Sequence, residues 1–181
     1  MSSNLDRPAR IGALKSVIRE IPDYPKPGIS FKDITTLIKD GSLFQTSIDL
    51  LAEEMGPYEP QSVVSVEARG FIVGAALALQ LGCGLVLVRK PGKLPFTTEQ
   101  VTYDLEYGTD TLEMHTDAVL PGERVIIADD VLATGGTVEA TKQLIETVGG
   151  EVTAACFIME LAFLEGRARV GDVPVHSLVV Y

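Results

Sequence analysis

Apolar residues follow two different periods along the chain, and the two periods alternate. The runs SVVSV (62–66), GLVLV (84–88) and VIIA (125–128) have the length and the uninterrupted apolar character of buried strands. Residues 71–81 and 136–147 space their apolar positions as helices do, and Gly82 and Gly149 follow where a helix would stop. Two more strands are predicted within 151–161 and 173–181. Strands that alternate with helices predict an α/β fold with a central, mostly parallel sheet buried on both faces.

The first sixty residues are less regular. Apolar positions from Ile11 to Ile21 predict a helix, and the proline-rich segment DYPKPGISFKDITTLI predicts a loop with an extended piece. The segment SLFQTSIDLLAEEM predicts an amphipathic helix with Ser42 as its N-cap. Further on, YDLEYG and TLEMHT predict two strands around a turn at Gly108.

Three of the predicted parallel strands end in charged residues. In open α/β sheets, ligands bind beyond the carboxyl ends of the strands, so these charges are expected to meet at one rim. Glu67 is expected to hold Arg69 as an ion pair. The charged strand ends are Glu67 with Arg69, Arg89 with Lys90, and Asp129 with Asp130.

The segment LATGGT lies between a predicted strand and a predicted helix. Gly135 and Gly136 permit backbone angles that turn several N–H groups toward one point, and Thr134 and Thr137 add hydroxyl donors. With the positive end of the following helix dipole, these groups suit a phosphate monoester. The loop lacks the lysine of a P-loop. An ordinary tight turn capped by threonine is the alternative.

Two adjacent carboxylates, Asp129 and Asp130, end the strand just before this loop. Burying two neighbouring acids is costly without partners. A vicinal diol or a magnesium ion would supply such partners, and a solvated acidic turn is the alternative. A phosphate loop beside diol-binding acids indicates a site for a ribose 5-phosphate.

Composition narrows the class of protein further. The 181 residues suffice for one domain, and a net charge of −10 argues against a nucleic-acid partner. Cys83 and Cys156 are predicted to be buried free thiols, and two cysteines with two histidines lack zinc-site spacing. His115 and His176 have no catalytic partners in sequence and are predicted to be structural. Neither a signal peptide nor a membrane span is predicted, so the expected location is cytoplasmic.

Five segments occur in an order that resembles a known family. They are DYPKPGISFKDIT, EARGF, VRKPGKLP, YDLEYGTD and DDVLATGGT. Together they resemble the adenine phosphoribosyltransferases, a branch of the type I phosphoribosyltransferase family. The resemblance implies a single domain over 1–181 with a small N-terminal hood at about 22–38 and a mobile lid loop at about 91–102. It also implies a cis peptide bond between Glu67 and Ala68.

The resemblance implies a role for each matching residue. Asp129 and Asp130 would hold the ribose hydroxyls, and Glu106 would handle a proton at the purine, with Asp104 as the fallback. Arg69 and Lys90 would contact pyrophosphate, with Lys93 and Tyr107 in the lid. The remaining positions would be the 5-phosphate cradle, Ala133, Thr134, Gly135, Gly136 and Thr137, and the base site, Ser30, Phe31, Lys32 and Val131.

The implied reaction transfers the 5-phosphoribosyl group from phosphoribosyl pyrophosphate (PRPP) to N9 of adenine, giving AMP and pyrophosphate. Magnesium would be the cofactor, held mainly through PRPP and water, and a homodimer is usual in the family. Ala133 stands where enzymes specific for hypoxanthine and guanine carry an acid. Xanthine-type enzymes share that alanine, so they remain an alternative. A PRPP-sensing regulator on the same fold is another, although the chain has no spare length for a nucleic-acid module.

Overall fold

Two compact units make up the chain in its computed structural model, which describes residues 6–104 and 109–181. The boundary between the units follows Leu50. The first unit contains a two-stranded antiparallel sheet, and the second contains a parallel sheet of five strands. Among the described residues, none of the helices combines the length and the hydropathy that a membrane span requires.

The first unit begins with a helix that is shorter than its sequence pattern predicts. Helix α1 (Arg7–Val17) ends before strand β1 (Arg19–Ile21), which pairs with β2 (Phe31–Asp33). The prediction that the helix continues to Ile21 is therefore wrong. Pro22 accounts for the extended conformation of Ile21, because the residue before a proline is pushed toward extended backbone angles.

Two helices follow the small sheet. Helix α2 (Thr35–Lys39) was not expected, whereas α3 (Gly41–Met55) matches the predicted amphipathic helix. Ser42 is not its N-cap. The Asp40 Oδ1 atom accepts hydrogen bonds from the backbone N–H groups of Ser42 and Leu43, both at 3.0 Å. A carboxylate at this end of a helix satisfies free N–H groups and also favours the helix dipole.

The second unit alternates strands and helices. The bounds are β3 (Ser62–Val66), α4 (Arg69–Leu81), β4 (Gly84–Val88), β5 (Thr98–Asp104), β6 (Thr109–His115), β7 (Arg124–Leu132), α5 (Gly136–Thr147), β8 (Glu151–Glu160), α6 (Arg167–Val170) and β9 (Val175–Val180), with short 3-10 turns at Gly56–Tyr58 and Ala162–Leu164. Five of the strands form the parallel sheet, in the order β4-β3-β7-β8-β9. The three helices connect these strands, and an antiparallel hairpin, β5–β6, is inserted between β4 and β7. This arrangement confirms the predicted alternation of strand and helix and the mostly parallel sheet.

The core lies on both faces of the central strands. Residues of β3, β7 and β8 that are essentially inaccessible to solvent include Val64, Ile127 and Phe157. Strand β4 departs from the prediction of burial on both faces, because Leu85 and Leu87 are 38% and 39% exposed. It is the edge strand of the five-stranded sheet and so has a neighbouring strand on one side only.

Helix α4 is likewise not buried all round, although its sequence is apolar on every side. Ile72 and Leu79 are exposed, and Leu79 retains 86% of its accessible surface. The opposite face packs closely on β3. A Cβ atom built on Gly74 would lie 2.6 Å from the Cβ atom of Ser65, so only glycine permits this approach of helix to strand.

We expect Gly74→Ala to destabilise the protein by about 1–3 kcal/mol, because the added methyl group overpacks the contact between α4 and β3. Gly12→Ala is the matched control. Gly12 also lies inside a helix, but a Cβ atom there would meet nothing within 4 Å. Alanine should gain about 1 kcal/mol of helix propensity at either position. Urea unfolding of both variants separates the two effects, and equal stabilisation would contradict the close packing at Gly74.

Candidate active site

Strands β3 and β4 end at the same level of the sheet. Val66 at the end of β3 pairs with Val88 at the end of β4, and Ser65 pairs with Ala128 of β7.

Strand β7 passes this level at Asp129 and continues to Leu132, so the expectation that the two acids end their strand is wrong. All three strands are parallel, so the acids of β7 and the charged residues that follow β3 and β4 share one rim, as the sequence predicts.

The two adjacent acids of β7 occupy different environments. Asp130 is buried, and its carboxylate forms an ion pair with the guanidinium of Arg69 at the start of α4. The Oδ1 atom of Asp129 accepts the backbone N–H of Asp130 at 2.8 Å. Burial and the neighbouring Asp130 carboxylate raise the pKa of Asp129 well above its usual range. Gly70 lets α4 approach this acid, because a Cβ atom there would lie 2.6 Å from Asp129 Oδ1.

Glu67 does not pair with Arg69, so that prediction is wrong. Its Oε2 atom lies 2.7 Å from Nε of Arg89, the residue that follows β4. Parallel pairing explains the exchange of partners, because it brings the ends of β3 and β4 side by side. The peptide bond between Glu67 and Ala68 is cis, as the sequence resemblance implies.

The loop from Ala133 to Thr137 joins β7 to the N-terminus of α5. Gly135 has a φ of +85°, a value that favours glycine. Gly166, just before α6, packs against this loop. A Cβ atom on Gly166 would collide with the carbonyl oxygen of Ala133, and one on Gly135 would collide with that of Gly166. The loop is therefore held by packing as well as by its own turn.

Lys90 connects the rim to the β5–β6 hairpin. Its ammonium group forms an ion pair with Asp110 of β6. Although burial alone would raise the pKa of Asp110, the hydrogen bond from Lys90 holds it below its usual value. The Tyr103 hydroxyl lies 3.3 Å from Asp110 Oδ2 and 3.4 Å from Thr137 Oγ1. Tyr103 thus links the hairpin to the loop from Ala133 to Thr137.

The segment predicted as a lid, residues 91–102, is only partly a loop. Its last five residues belong to β5, where Val101 is buried, so the predicted loop extends only to residue 97. The backbone N–H of Lys93 is hydrogen-bonded to Glu113 of β6 at 3.0 Å. Residues 95–97 are exposed.

The predicted base-binding residues are distributed over both units. Ser30, Phe31 and Lys32 lie at β2 in the first unit, where Lys32 Nζ is 3.0 Å from Glu20 Oε2. Val131 lies on β7 in the second unit and pairs with Met159. Glu106 and Tyr107 lie outside the described residues, as does the side chain of Asp104, so their roles stay predictions.

Several residues of this region had no signal in the sequence analysis. Asp110 stands inside the quoted motif YDLEYGTD, but nothing in one sequence links it to Lys90. Gly166 was not identified at all.

No catalytic role is predicted for His176 or for either cysteine. His176 lies between two partners, with the Tyr58 hydroxyl 2.8 Å from its Nε2 atom and Glu54 Oε2 2.9 Å from its Nδ1 atom, and these contacts fit its predicted structural role. Cys156 is buried and Cys83 only partly so, and both are free thiols.

Comparison with known proteins adds independent information. The sequence profile of the phosphoribosyl transferase domain matches residues 37–173. Adenine phosphoribosyltransferase from Geotalea daltonii is 59% identical over 168 residues, which cover 93% of this chain and 98% of that relative. The enzyme of the same name from Geobacter metallireducens is 58% identical over the same shares. The chain belongs to the adenine phosphoribosyltransferase family.

Solved structures agree with this assignment. The crystal structure of adenine phosphoribosyltransferase from Thermoanaerobacter pseudethanolicus superposes with a TM-score of 0.91 at 50% identity, covering 94% of this chain and 99% of that one. The enzyme from Saccharomyces cerevisiae, solved with an imino-altritol bisphosphate and adenine, gives 0.90 at 37% identity, with 94% and 99% covered. The predicted type I phosphoribosyltransferase fold is thus confirmed.

Proposed function

We propose that the rim formed by β3, β4 and β7 is where this chain transfers the 5-phosphoribosyl group of PRPP to N9 of adenine. Family membership makes it a purine salvage enzyme that forms AMP and pyrophosphate. The location of the site rests on one observation. Strands β3 and β4 end level with Asp129 of β7, so the acid pair lies beside the residues that follow those two strands, among them Arg69 and Lys90.

The ribose 5-phosphate part of PRPP fits the residues around β7. The backbone N–H groups of the 133–137 loop and the N-terminus of the twelve-residue helix α5 would bind the 5-phosphate. Asp129 and Asp130 would accept hydrogen bonds from the 2- and 3-hydroxyls. Asp130 then exchanges its contact with Arg69 for the diol, which releases the guanidinium toward pyrophosphate.

Departure of pyrophosphate leaves positive charge on the ribose, as in glycoside cleavage. Arg69 and Lys90, with Lys93 nearby, would stabilise the negative charge that grows on the leaving group. Water has to be kept away from the cationic carbon. We propose that the exposed residues 95–97 of the predicted lid supply this cover together with Tyr107.

Adenine would be bound by the hood, the small element of about residues 22–38. Phe31 and Val131 are proposed to contact the purine faces, and the backbone near Ser30 and Lys32 to read its edge. The related enzyme from Saccharomyces cerevisiae was solved with adenine, which supports adenine rather than xanthine as the base. The same similarity to a phosphoribosyltransferase with bound adenine favours an enzyme over a PRPP-sensing regulator.

Magnesium is the proposed cofactor. Among residues 6–104 and 109–181 no group of three or more His, Cys, Asp or Glu side chains could hold a metal ion by itself. The ion would be held mainly by PRPP oxygens and water, since Asp129 and Asp130 are assigned to the ribose hydroxyls. When bound, the ion would neutralise charge on the pyrophosphate.

We also propose a homodimer, on the basis of an exposed apolar surface at the edge of the sheet. Ile72 and Leu79 are seven residues apart on α4 and so lie on one face of the helix, and Leu85 and Leu87 lie on one face of β4. Exposed apolar groups of this kind mark contact surfaces. Sedimentation velocity of the purified chain decides between dimer and monomer.

We place the enzyme in the cytoplasm, where its free thiols would stay reduced.

Turnover with different bases tests the function directly. The chain should form a nucleotide from PRPP and adenine in the presence of magnesium, and not from hypoxanthine, guanine or xanthine. Chromatography of the four reactions in parallel provides the measurement. Turnover of xanthine that is equal to or faster than that of adenine would contradict adenine as the substrate. Absence of turnover with any of the four bases would contradict the function.

Replacing both Asp129 and Asp130 with Asn should raise KM for PRPP by at least about 100-fold, because hydrogen bonds to charged groups contribute roughly 1.5–3 kcal/mol each. KM for adenine should change little. Steady-state kinetics with each substrate varied gives both values, and circular dichroism checks the fold. An unchanged KM for PRPP would remove the two acids from the ribose site.

Glu106→Leu should lower kcat by about 10²–10⁴, because a proton leaves the purine when N9 attacks the ribose and general acid–base help has this magnitude. PRPP binding should remain near that of the wild type. Asp104→Asn is the comparison. If it lowers kcat and Glu106→Leu does not, the proton is handled by Asp104.

A further inference from the structure

Glu113 is a buried carboxylate that has no role in the proposed mechanism. It lies on β6 with only 2% of its surface exposed. Glutamate is among the residues least often buried to this extent, and a buried carboxylate requires hydrogen-bond partners. The partners of the Glu113 carboxylate come from two places, the turn that follows Lys90 and the neighbouring strand β5.

One oxygen of Glu113 faces that turn. Its Oε1 atom accepts the backbone N–H groups of Lys93 at 3.0 Å and Leu94 at 3.1 Å. The other oxygen, Oε2, faces the neighbouring strand β5 and accepts from Gln100 Nε2 at 3.1 Å and Thr98 Oγ1 at 3.4 Å. The carboxylate therefore bonds the turn to the hairpin.

The backbone of Glu113 holds the other side of the same turn. Its N–H and C=O groups are paired with the C=O and N–H groups of Arg89, at 2.8 and 2.9 Å. The Arg89 guanidinium closes the turn by donating to the Lys93 carbonyl at 3.2 Å. Lys90 thus stands between two segments, Arg89 and Lys93–Leu94, that are both bonded to Glu113.

We propose that Glu113 is a positioning residue that fixes the 89–94 turn and thereby directs Lys90 and Lys93 toward the pyrophosphate of PRPP. The inference rests on the proposed roles of those two lysines. Its physical basis is that a short turn with a glycine at Gly92, where φ is +77°, has many accessible conformations, and a fixed acceptor for its N–H groups selects one of them.

The charge of Glu113 suits this role. Although burial alone would raise its pKa, the N–H groups of Leu94, Gly92 and Lys93 and the amide of Gln100 hold the pKa below its usual value. The group therefore remains an ionised acceptor at neutral pH, and charge-assisted hydrogen bonds are about twice as strong as neutral ones.

The test compares two substitutions at this position. Glu113→Leu keeps the bulk of the side chain and removes both acceptors. It should raise KM for PRPP by roughly 10- to 100-fold while KM for adenine stays within about twofold. Glu113→Gln keeps one acceptor for the turn, and Gln100 can rotate its amide to pair with it, so this variant should recover most of the loss. Glu151→Gln removes one exposed carboxylate at the start of β8 and is the control for net charge.

Amide hydrogen exchange at Lys93 and Leu94 provides a readout that does not depend on activity. Exchange should be faster in Glu113→Leu than in the wild type and intermediate in Glu113→Gln. If exchange accelerates but the two KM values rise together, or KM for PRPP stays at the level of the control, Glu113 has only a structural role and the proposal is overturned. That outcome leaves the assignment of Asp129 and Asp130 intact, whereas absence of turnover in the wild type would contradict the proposed function instead.

If Glu113→Leu does not fold, Glu113→Gln decides alone. Loss of charge assistance should then raise KM for PRPP selectively by roughly threefold, because the neutral bonds are about half as strong. A KM for PRPP equal to that of Glu151→Gln would overturn the positioning role.

Discussion

Parallel pairing of β3 with both β4 and β7 is the constraint on which the site depends. Residues far apart in sequence, such as Glu67, Arg89 and Asp129, become neighbours because β3 and β4 end at the level that β7 reaches at Asp129. Parallel strands require long crossover connections, and here α4 and the hairpin with its flanking loops supply them. The same geometry leaves the turns and helix N-termini at the rim, where backbone N–H groups are available for anions.

Opposite charges compensate one another across this rim. Arg69 with Asp130, Arg89 with Glu67, and Lys90 with Asp110 form three ion pairs within a protein whose net charge is strongly negative. Pairs that are partly exposed contribute little to stability, commonly below about 1 kcal/mol. Their effect lies in orientation, because each cation is held in one place by its acid. The diol, the 5-phosphate and the pyrophosphate of PRPP would offer replacement partners to both signs of charge.

Close packing at glycines supports this arrangement. Gly70 and Gly74 bring α4 against the side chains of Asp129 and Ser65, and Gly135 packs against the backbone of Gly166. These contacts leave no room for a Cβ atom, so the 133–137 loop and the acid pair are held by packing. Glu113 holds the turn at Lys90 by hydrogen bonding instead, since it bonds that turn to the hairpin.

The sequence alone was enough to predict the parallel α/β sheet, the shared rim and the family, because these follow from the local apolar period and from contiguous motifs. It did not determine partners across the sheet. Glu67 pairs with Arg89 instead of Arg69, Asp40 caps α3 instead of Ser42, and Leu85 and Leu87 are exposed. Asp110, Glu113 and Gly166 were recognised only in the folded chain. Such contacts depend on the order and register of strands, on which strand forms the edge, and on how closely two backbones approach, and these are decided only when distant segments pack together.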